Sequence, residues 1–517
     1  MNPELCNQGR IMKPRLIAGL VFTSLLILKG GGAHAAPDRV DWGEGAPNLS
    51  PAQQLSNVDG RYAHWQGIGR VMVDGGMTCT GSLIDTRNTE GLAGPAYVLT
   101  SGHCTDPQLS NEFIVNQPAT GTVTFNFFHD TEQRQKTYAV SAINWSTLRG
   151  QDISLVQLSR SLEQLIADGI KPLKIAAHAM MPNNDILIVG APLNGFVQRM
   201  ACKQDHQAAI LEGPWRWVDQ SSNQCLDVIN GISGSPVLGR YTNEIVGVLG
   251  TTTRGSGQHV CSTGAPCEVA EGKVNKQLDT NYASPAEGLD RCFLEGHFSP
   301  REARCPLGPT WSFPLSTDAT DYVKVQREAN GEIIPWRWDQ RLSLNAPFYR
   351  YRHTQTLADC ESINGYSEVH ASKPEGQNQL SRELREGAGL YFLCVIGQQR
   401  PTDVPGQWDA RNAIVYWRWL MEEPAPLSPV YRADSIGESD YDVRAYPIRP
   451  YLDSDQYRYK TGKVQTVDCD KEENYQEVSP STGVFHVSIA EGQQKVCLKG
   501  GDAAGNSGPS VDFLLPP

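Results

Sequence analysis

Three short strings hold the side chains of this chain best placed to do chemistry together: Leu99-Thr-Ser-Gly-His103-Cys104, Gln151-Asp152-Ile-Ser-Leu-Val156 and Gly231-Ile-Ser233-Gly-Ser-Pro236. A serine hydroxyl attacks well only when an imidazole takes its proton, and the imidazole works best when a carboxylate orients it. His103, Asp152 and Ser233 are those three residue types, each in its own local context. Jointly they point to nucleophilic acyl transfer.

Strands must carry these strings. From about residue 60 to 285 short β-like runs alternate with Gly, Pro and Asn, and long amphipathic helices are absent. Thr122-Val-Thr-Phe-Asn-Phe-Phe128 alternates, Ile186-Leu-Ile-Val189 is a buried-type run closed by Gly190, and Ile245-Val-Gly-Val-Leu249 follows the serine string. Strands this short suit barrels or sandwiches. Helices are expected only at Ser161 to Ile166 and at Glu268 to Leu278.

The whole chain bounds the rest. At 517 residues it should hold two to four folding units. Residues 1–36 read as a secretory signal peptide: Arg10, Lys13 and Arg15 precede an apolar run, Leu16 to Leu28, and Ala33-His34-Ala35 offers the cleavage site. That run is short of the roughly 20 residues that a spanning helix needs, so no membrane insertion is expected. Residues 1–35 carry four Lys or Arg and one Glu, so their removal takes the formal charge from −12 to −15. Phosphate binding needs clustered Lys and Arg, so this acidic balance argues against nucleic acid as a partner.

Thirteen cysteines become twelve once Cys6 leaves, and an even number in an exported chain reads as six disulfides formed in a secreted or periplasmic setting. Cys292 and Cys305 bracket a polar segment, residues 289–309, read as a linker closed by a local bridge. Two similar segments follow, 310–423 and 424–517. Tyr349-Arg-Tyr351 precedes Asp359-Cys360 and Leu393-Cys394-Val-Ile-Gly397; Tyr457-Arg-Tyr459 precedes Asp468-Cys469 and Val496-Cys497-Leu-Lys-Gly500. Each fits a small β-sandwich pinned by one internal bridge, and both resemble the immunoglobulin-like or fibronectin-like modules of secreted bacterial enzymes. No CxxC pair or HExxH string suggests a metal, and no cofactor is expected.

The string Cys79-Thr-Gly-Ser-Leu-Ile84, with Cys104 beside His103, resembles the loop and bridge that hold the histidine of trypsin-like serine proteases. The resemblance covers roughly residues 60 to 285, within an expected domain 37–288, and implies a two-barrel chymotrypsin-like fold in an otherwise all-β chain. It implies His103 as general base and then acid, Asp152 as its orienting carboxylate, Ser233 as nucleophile, and the amides of Gly231 and Ser233 as oxyanion donors. It also implies a Cys79–Cys104 bridge. Ile232 stands where animal relatives carry an aspartate that pairs with a new amino terminus, so the site is expected to form without that insertion. Cys202 and Cys225 are expected to pair instead of the animal bridge, leaving Cys261 and Cys267 to complete the twelve.

Asp227, six residues before Ser233, is a candidate for the floor of a pocket selecting Arg or Lys, with a wall from Gly250 to Thr253. Three Trp-Arg-Trp strings, at 215–217, 336–338 and 417–419, would put both tryptophans on one strand face and the arginine outward. On the C-terminal modules such pairs could also bind a surface or a glycan. The expected function is a secreted serine endopeptidase acting on proteins or peptides. The alternative is a catalytically inactive homologue acting as an extracellular binding or adhesion protein.

Overall fold

In the computed structural model, residues 40–515 are described except 88–93, 110–111, 258–259, 301–304, 308–310, 312–321, 328–329, 331, 375–376, 422–425, 438, 448–455, 480–482, 491 and 502–506. The expected leader and Cys6 lie outside the described residues. No described helix is long and apolar enough to cross a membrane.

The alternating runs become strands, and the strands close into two rings. Ile68–Val73, Cys79–Leu83, Pro95–Thr100, Gly121–Phe125, Lys136–Thr147 and Ile153–Ser161 form the first barrel, because the long strand Lys136–Thr147 pairs with both Gly121–Phe125 and Ile153–Ser161. Asp185–Gly190, Gln198–Glu212, Trp215–Asn223, Pro236–Gly239, Ile245–Thr252 and Asn281–Pro285 form the second, closed by Gln198–Glu212. Closure pairs each strand of a ring on both sides. Val71, Val98, Val123 and Val156 fill the first interior, and Ile186, Ile188, Met200 and Val237 the second.

Two expectations about local structure are corrected. Glu268 to Leu278 is no helix: Cys267–Ala270 and Lys273–Asn275 pair as a hairpin, with Glu271 and Gly272 at φ of 50° and 68°. Two successive positive φ angles make a turn whose twist matches the flanking strands. The short helix Leu162–Ala167 does form, started by a reciprocal capping box between Ser161 and Gln164. The segment read as a linker is packed, since Leu289, Cys292, Phe293, Cys305 and Leu307 join one buried cluster with Ile84, Tyr97 and Leu99 of the first barrel.

Two sandwiches follow. In the first, the sheet containing Phe348–Thr354, Gly389–Gln398 and Ile414–Met421 is accompanied by the pair Trp336–Leu342 and Asn378–Leu384; in the second, Val430–Ser435, Asp440–Tyr446 and Val484–Ser488 accompany the sheet containing Gln456–Lys463 and Gln494–Gly501. The internal repeat is a repeat of register. Tyr349 pairs with Gly397 and Tyr457 with Gly500. In each copy a tyrosine six residues after the first cysteine donates its hydroxyl back to that cysteine's carbonyl, Tyr366 to Cys360 at 2.7 Å and Tyr475 to Cys469 at 2.8 Å.

The first sandwich packs on the second barrel. Leu211, Cys261, Cys267 and Val269 share a buried cluster with Leu357, Leu390, Phe392, Cys394 and Trp417. Arg216 is buried and donates to the Arg411 carbonyl at 3.0 Å, so in this string the arginine points to a neighbouring domain and not to solvent. Arg418 is likewise buried, bonding Gln340 at 3.0 Å, while Arg337 alone of the three is exposed. None of the six tryptophans is exposed, four being buried and Trp336 and Trp419 half-buried. Phe392 lies wholly buried in the shared cluster, so Phe392→Ala should cost about 3–5 kcal/mol. Urea denaturation followed by tryptophan fluorescence would show it, and an unchanged midpoint would contradict the shared core.

Candidate active site

His103 sits in a single helical turn, Gly102–Cys104, just past strand Pro95–Thr100. Its position is fixed three ways. The Cys79–Cys104 disulfide ties the turn to strand Cys79–Leu83; the His103 amide donates to Asp152 Oδ1 at 3.0 Å; and the ring nitrogen Nδ1 meets Asp152 Oδ2 at 2.7 Å. The turn needs glycine at 102, because a Cβ there would lie 2.2 Å from the Thr147 carbonyl. Asp152 has no exposed surface, and its own amide donates to the Ser284 hydroxyl of the second barrel at 2.9 Å. Gly250 closes the other side, where a Cβ would come within 2.9 Å of Asp152 Oδ2.

Burial alone would push the His103 imidazole down. The charge and hydrogen bond of Asp152, with a further contribution from Glu212, outweigh it and hold the imidazole above its ordinary value. The cysteine sulfurs beside the ring are bonded to each other, so Cys79, His103 and Cys104, though close, do not offer three ligands to a metal.

Ser233 lies on the loop between Trp215–Asn223 and Pro236–Gly239. The Cys202–Cys225 bridge anchors the start of that loop, and Ile232 is buried among Ile186, Ile188, Val237 and Leu249. An isoleucine here is held by core packing. Gly231 and Gly234 have φ of 92° and 82°. A Cβ on Gly231 would lie 2.3 Å from the Leu193 nitrogen, and one on Gly234 would lie 2.2 Å from the Thr80 carbonyl. The Ser233 carbonyl accepts from the Thr80 amide at 2.9 Å, which fastens the serine to the first barrel.

The amides around Ser233 divide into two sets. Those of Ile232, Gly234 and Ser235 donate to Ile229, Leu249 and Ile232 at 3.1, 2.8 and 3.0 Å, whereas those of Gly231 and Ser233 have no acceptor among the described residues. Two free N–H groups flanking a serine are what an oxyanion requires. The Ser233 hydroxyl donates to the Gly250 carbonyl at 3.5 Å and not to His103. His103 and Ser233 nonetheless line one cleft of about 800 Å³.

Residues 79–248 match the family model of the trypsin-like peptidase domain. The match spans about a third of the chain and supports a serine protease. No curated protein matches. Among solved structures, the active form of the Rv3671c protease from M. tuberculosis is 15% identical, covering 47% of this chain and 86% of its own at a TM-score of 0.28. The MamO protease domain from Magnetospirillum magneticum is 12% identical, covering 44% and 94% at 0.29, and Deg5 is 12% identical, covering 44% and 88% at 0.27. Likenesses at these scores carry no weight for the site, and the barrels stand on their own strand pairings.

The expected pocket acid is elsewhere. Asp227 is exposed, with φ of 59°, and its Oδ2 accepts from the Ala52 amide at 2.7 Å. The left-handed backbone turns this side chain toward the segment preceding the first barrel and out of the cleft. It does not line the cleft wall, while Gly250, Thr251 and Thr252 do. The cleft's own acid is Glu212, the last residue of its strand, accompanied by Trp215, Trp217, Leu109, Leu148 and Leu193. Only Trp215 and Trp217 were marked by a motif in the sequence. A charged residue ending the apolar run Ala208-Ala-Ile-Leu211, just before Gly213-Pro214, was the available signal for Glu212.

Arg70 bridges from the first barrel to the rim, donating to the carbonyls of Pro192, Leu193 and Gly195 at 2.7, 3.1 and 2.9 Å. Leu193 in turn donates to the Asn230 carbonyl at 2.8 Å, beside Gly231. Gly231→Ala would drive a methyl group into this contact at an unfavourable φ. Its rate of labelling by a fluorophosphonate should fall at least about 100-fold, the usual cost of a lost oxyanion donor, with circular dichroism unchanged; labelling at the parental rate would show that the loop does not form this site.

Proposed function

We propose that this chain is an exported serine endopeptidase that hydrolyses peptide bonds in proteins or peptides through a serine ester. The observation that carries the reading is the His103–Asp152 pair sharing a cleft with Ser233, whose loop leaves two amides without acceptors. His103 removes the Ser233 proton as the hydroxyl attacks the scissile carbonyl. The amides of Gly231 and Ser233 take the charge that develops on oxygen, Asp152 steadies the imidazolium, and His103 then protonates the leaving amine. Water repeats the cycle on the ester.

Six disulfides, Cys79–Cys104, Cys202–Cys225, Cys261–Cys267, Cys292–Cys305, Cys360–Cys394 and Cys469–Cys497, favour an oxidising compartment for this enzyme. A preference for Arg or Lys cannot rest on Asp227, which bonds Ala52. One observation favours the inactive binding homologue: the Ser233 hydroxyl is directed to the Gly250 carbonyl. The endopeptidase reading is preferred because His103, held by Asp152, and Ser233 line one cleft.

The nucleophile works only with a neutral imidazole, and the Asp152 carboxylate raises the pH at which His103 loses its proton. Labelling of the chain without residues 1–36 by a fluorophosphonate should therefore fall away on acidification from a point above the usual histidine value of about 6.5. Ser233→Ala should abolish it. Asp152→Asn removes the charge that holds the proton on, so its acid limb should move to lower pH while the rate drops roughly 10,000-fold. No labelling of the wild type at any pH would leave the binding homologue as the correct reading.

A further inference from the structure

We propose that Glu212 is a specificity-determining residue that, with Trp215 and Trp217, forms a subsite of the cleft for a basic side chain of the substrate. The proposal rests on the peptidase reading and adds to it a substrate class and the acid that recognises it.

A buried carboxylate is normally surrounded by donors. Glu212 is only 6% exposed. Its Oε1 accepts the Gly264 amide at 2.8 Å, the Thr251 side chain also bonds the carboxylate, and Oε2, itself buried, is left without a well-formed hydrogen bond. No cationic side chain forms an ion pair with it among the described residues. The unused oxygen belongs to a residue lining the same cleft as His103 and Ser233. An incoming donor would complete its coordination.

Two aromatic rings that line the same cleft stand beside the acid, Trp215 at 5% and Trp217 at 2% exposure. Trp215 and Trp217 project from one face of their strand, stacked with centroids 6.2 Å apart and planes 6° from parallel. Aromatic faces take the methylene chain of Lys or Arg and attract its cationic head. Trp215 faces Glu212 across the hairpin in register, which puts the ring and the acid side by side.

The charges around Glu212 favour a cation over an anion. His103 and Asp152 approach from the first barrel, Thr251 from strand Ile245–Thr252, and the Gly264 amide from the loop closed by Cys261–Cys267. Arg254, also on the cleft wall, lies 3.5 Å from Asp279 and is offset by it. Burial pushes the Glu212 carboxyl up to about 7, against the Thr251 and Gly264 hydrogen bonds that pull it down. The acid is therefore increasingly charged as pH rises from 6 to 8.

The test uses the chain without residues 1–36 and paired peptides that differ only in Lys or its uncharged isostere norleucine, scanned across the positions flanking the cleaved bond. At one position the wild type should prefer Lys at least 10-fold in kcat/KM, and the ratio should grow between pH 6 and pH 8. His103 titration cancels from that ratio, because both peptides use the same catalyst. Glu212→Gln should bring the ratio to near one and remove its pH dependence. A wild type with no preference for Lys at any position, a pH-independent preference, or a preference kept in Glu212→Gln would each overturn the proposal while leaving the peptidase reading intact. Failure of the wild type to label with a fluorophosphonate would overturn both. The wild-type pH series decides the matter even if Glu212→Gln fails to fold.

Discussion

A carboxylate with no exposed surface must be met by donors, and Asp152 takes two from one residue, the amide and the ring of His103. The His103 amide and ring come from the first barrel. From the second, the Ser284 hydroxyl accepts from the Asp152 backbone amide and the bare Cα of Gly250 leaves room for the carboxylate. A side chain at 250 would displace Asp152, and without Asp152 nothing would hold the ring of His103 in place. The charge is thus both a constraint on how the barrels meet and the reason that His103 is oriented toward the cleft.

The loop bearing Ser233 is tied to both barrels as well. Its core-facing residue, Ile232, belongs to the second barrel, but its carbonyl at 233 accepts from Thr80 and the space at Gly234 is occupied by Thr80 and Thr100 of the first. Arg70 adds a third tie across the cleft. Behind the cleft wall, the hairpin bearing Glu212 and Trp215 is backed by the first sandwich, through Arg216 and a shared apolar cluster. The appended module is therefore part of the packing that supports the proposed substrate subsite.

Much of this was legible in the sequence because it is written in short-range patterns. Period-two alternation marked the strands, two of the three strings marked residues that line the cleft and the third the acid that bonds His103, and Tyr, Cys and Gly spacing marked a repeat that turns out to be one of strand register. Other features depend on where a backbone turns or what docks against it. Asp227 has the expected spacing from Ser233, yet its positive φ sends the carboxylate to Ala52. Arg216 alternates as a strand predicts, but the face it takes is covered by another domain. Glu268 to Leu278 lacks the Asn-Gly or Asp-Gly pair that usually marks a tight hairpin, and Glu271-Gly272 makes the turn instead. The residues 289–309 are polar enough to read as a tether, though five of them are core.

The central claim is that side chains 103, 152 and 233 and the amides of 231 and 233 form one catalytic unit. A crystal structure of the phosphonylated protein tests it most directly. The account predicts phosphorus bonded to Ser233 Oγ, the phosphoryl oxygen within hydrogen-bond distance of both amides, and His103 still held by Asp152 with its other nitrogen facing the adduct. Phosphorus on a different residue, or an oxygen turned away from Gly231 and Ser233, would contradict it.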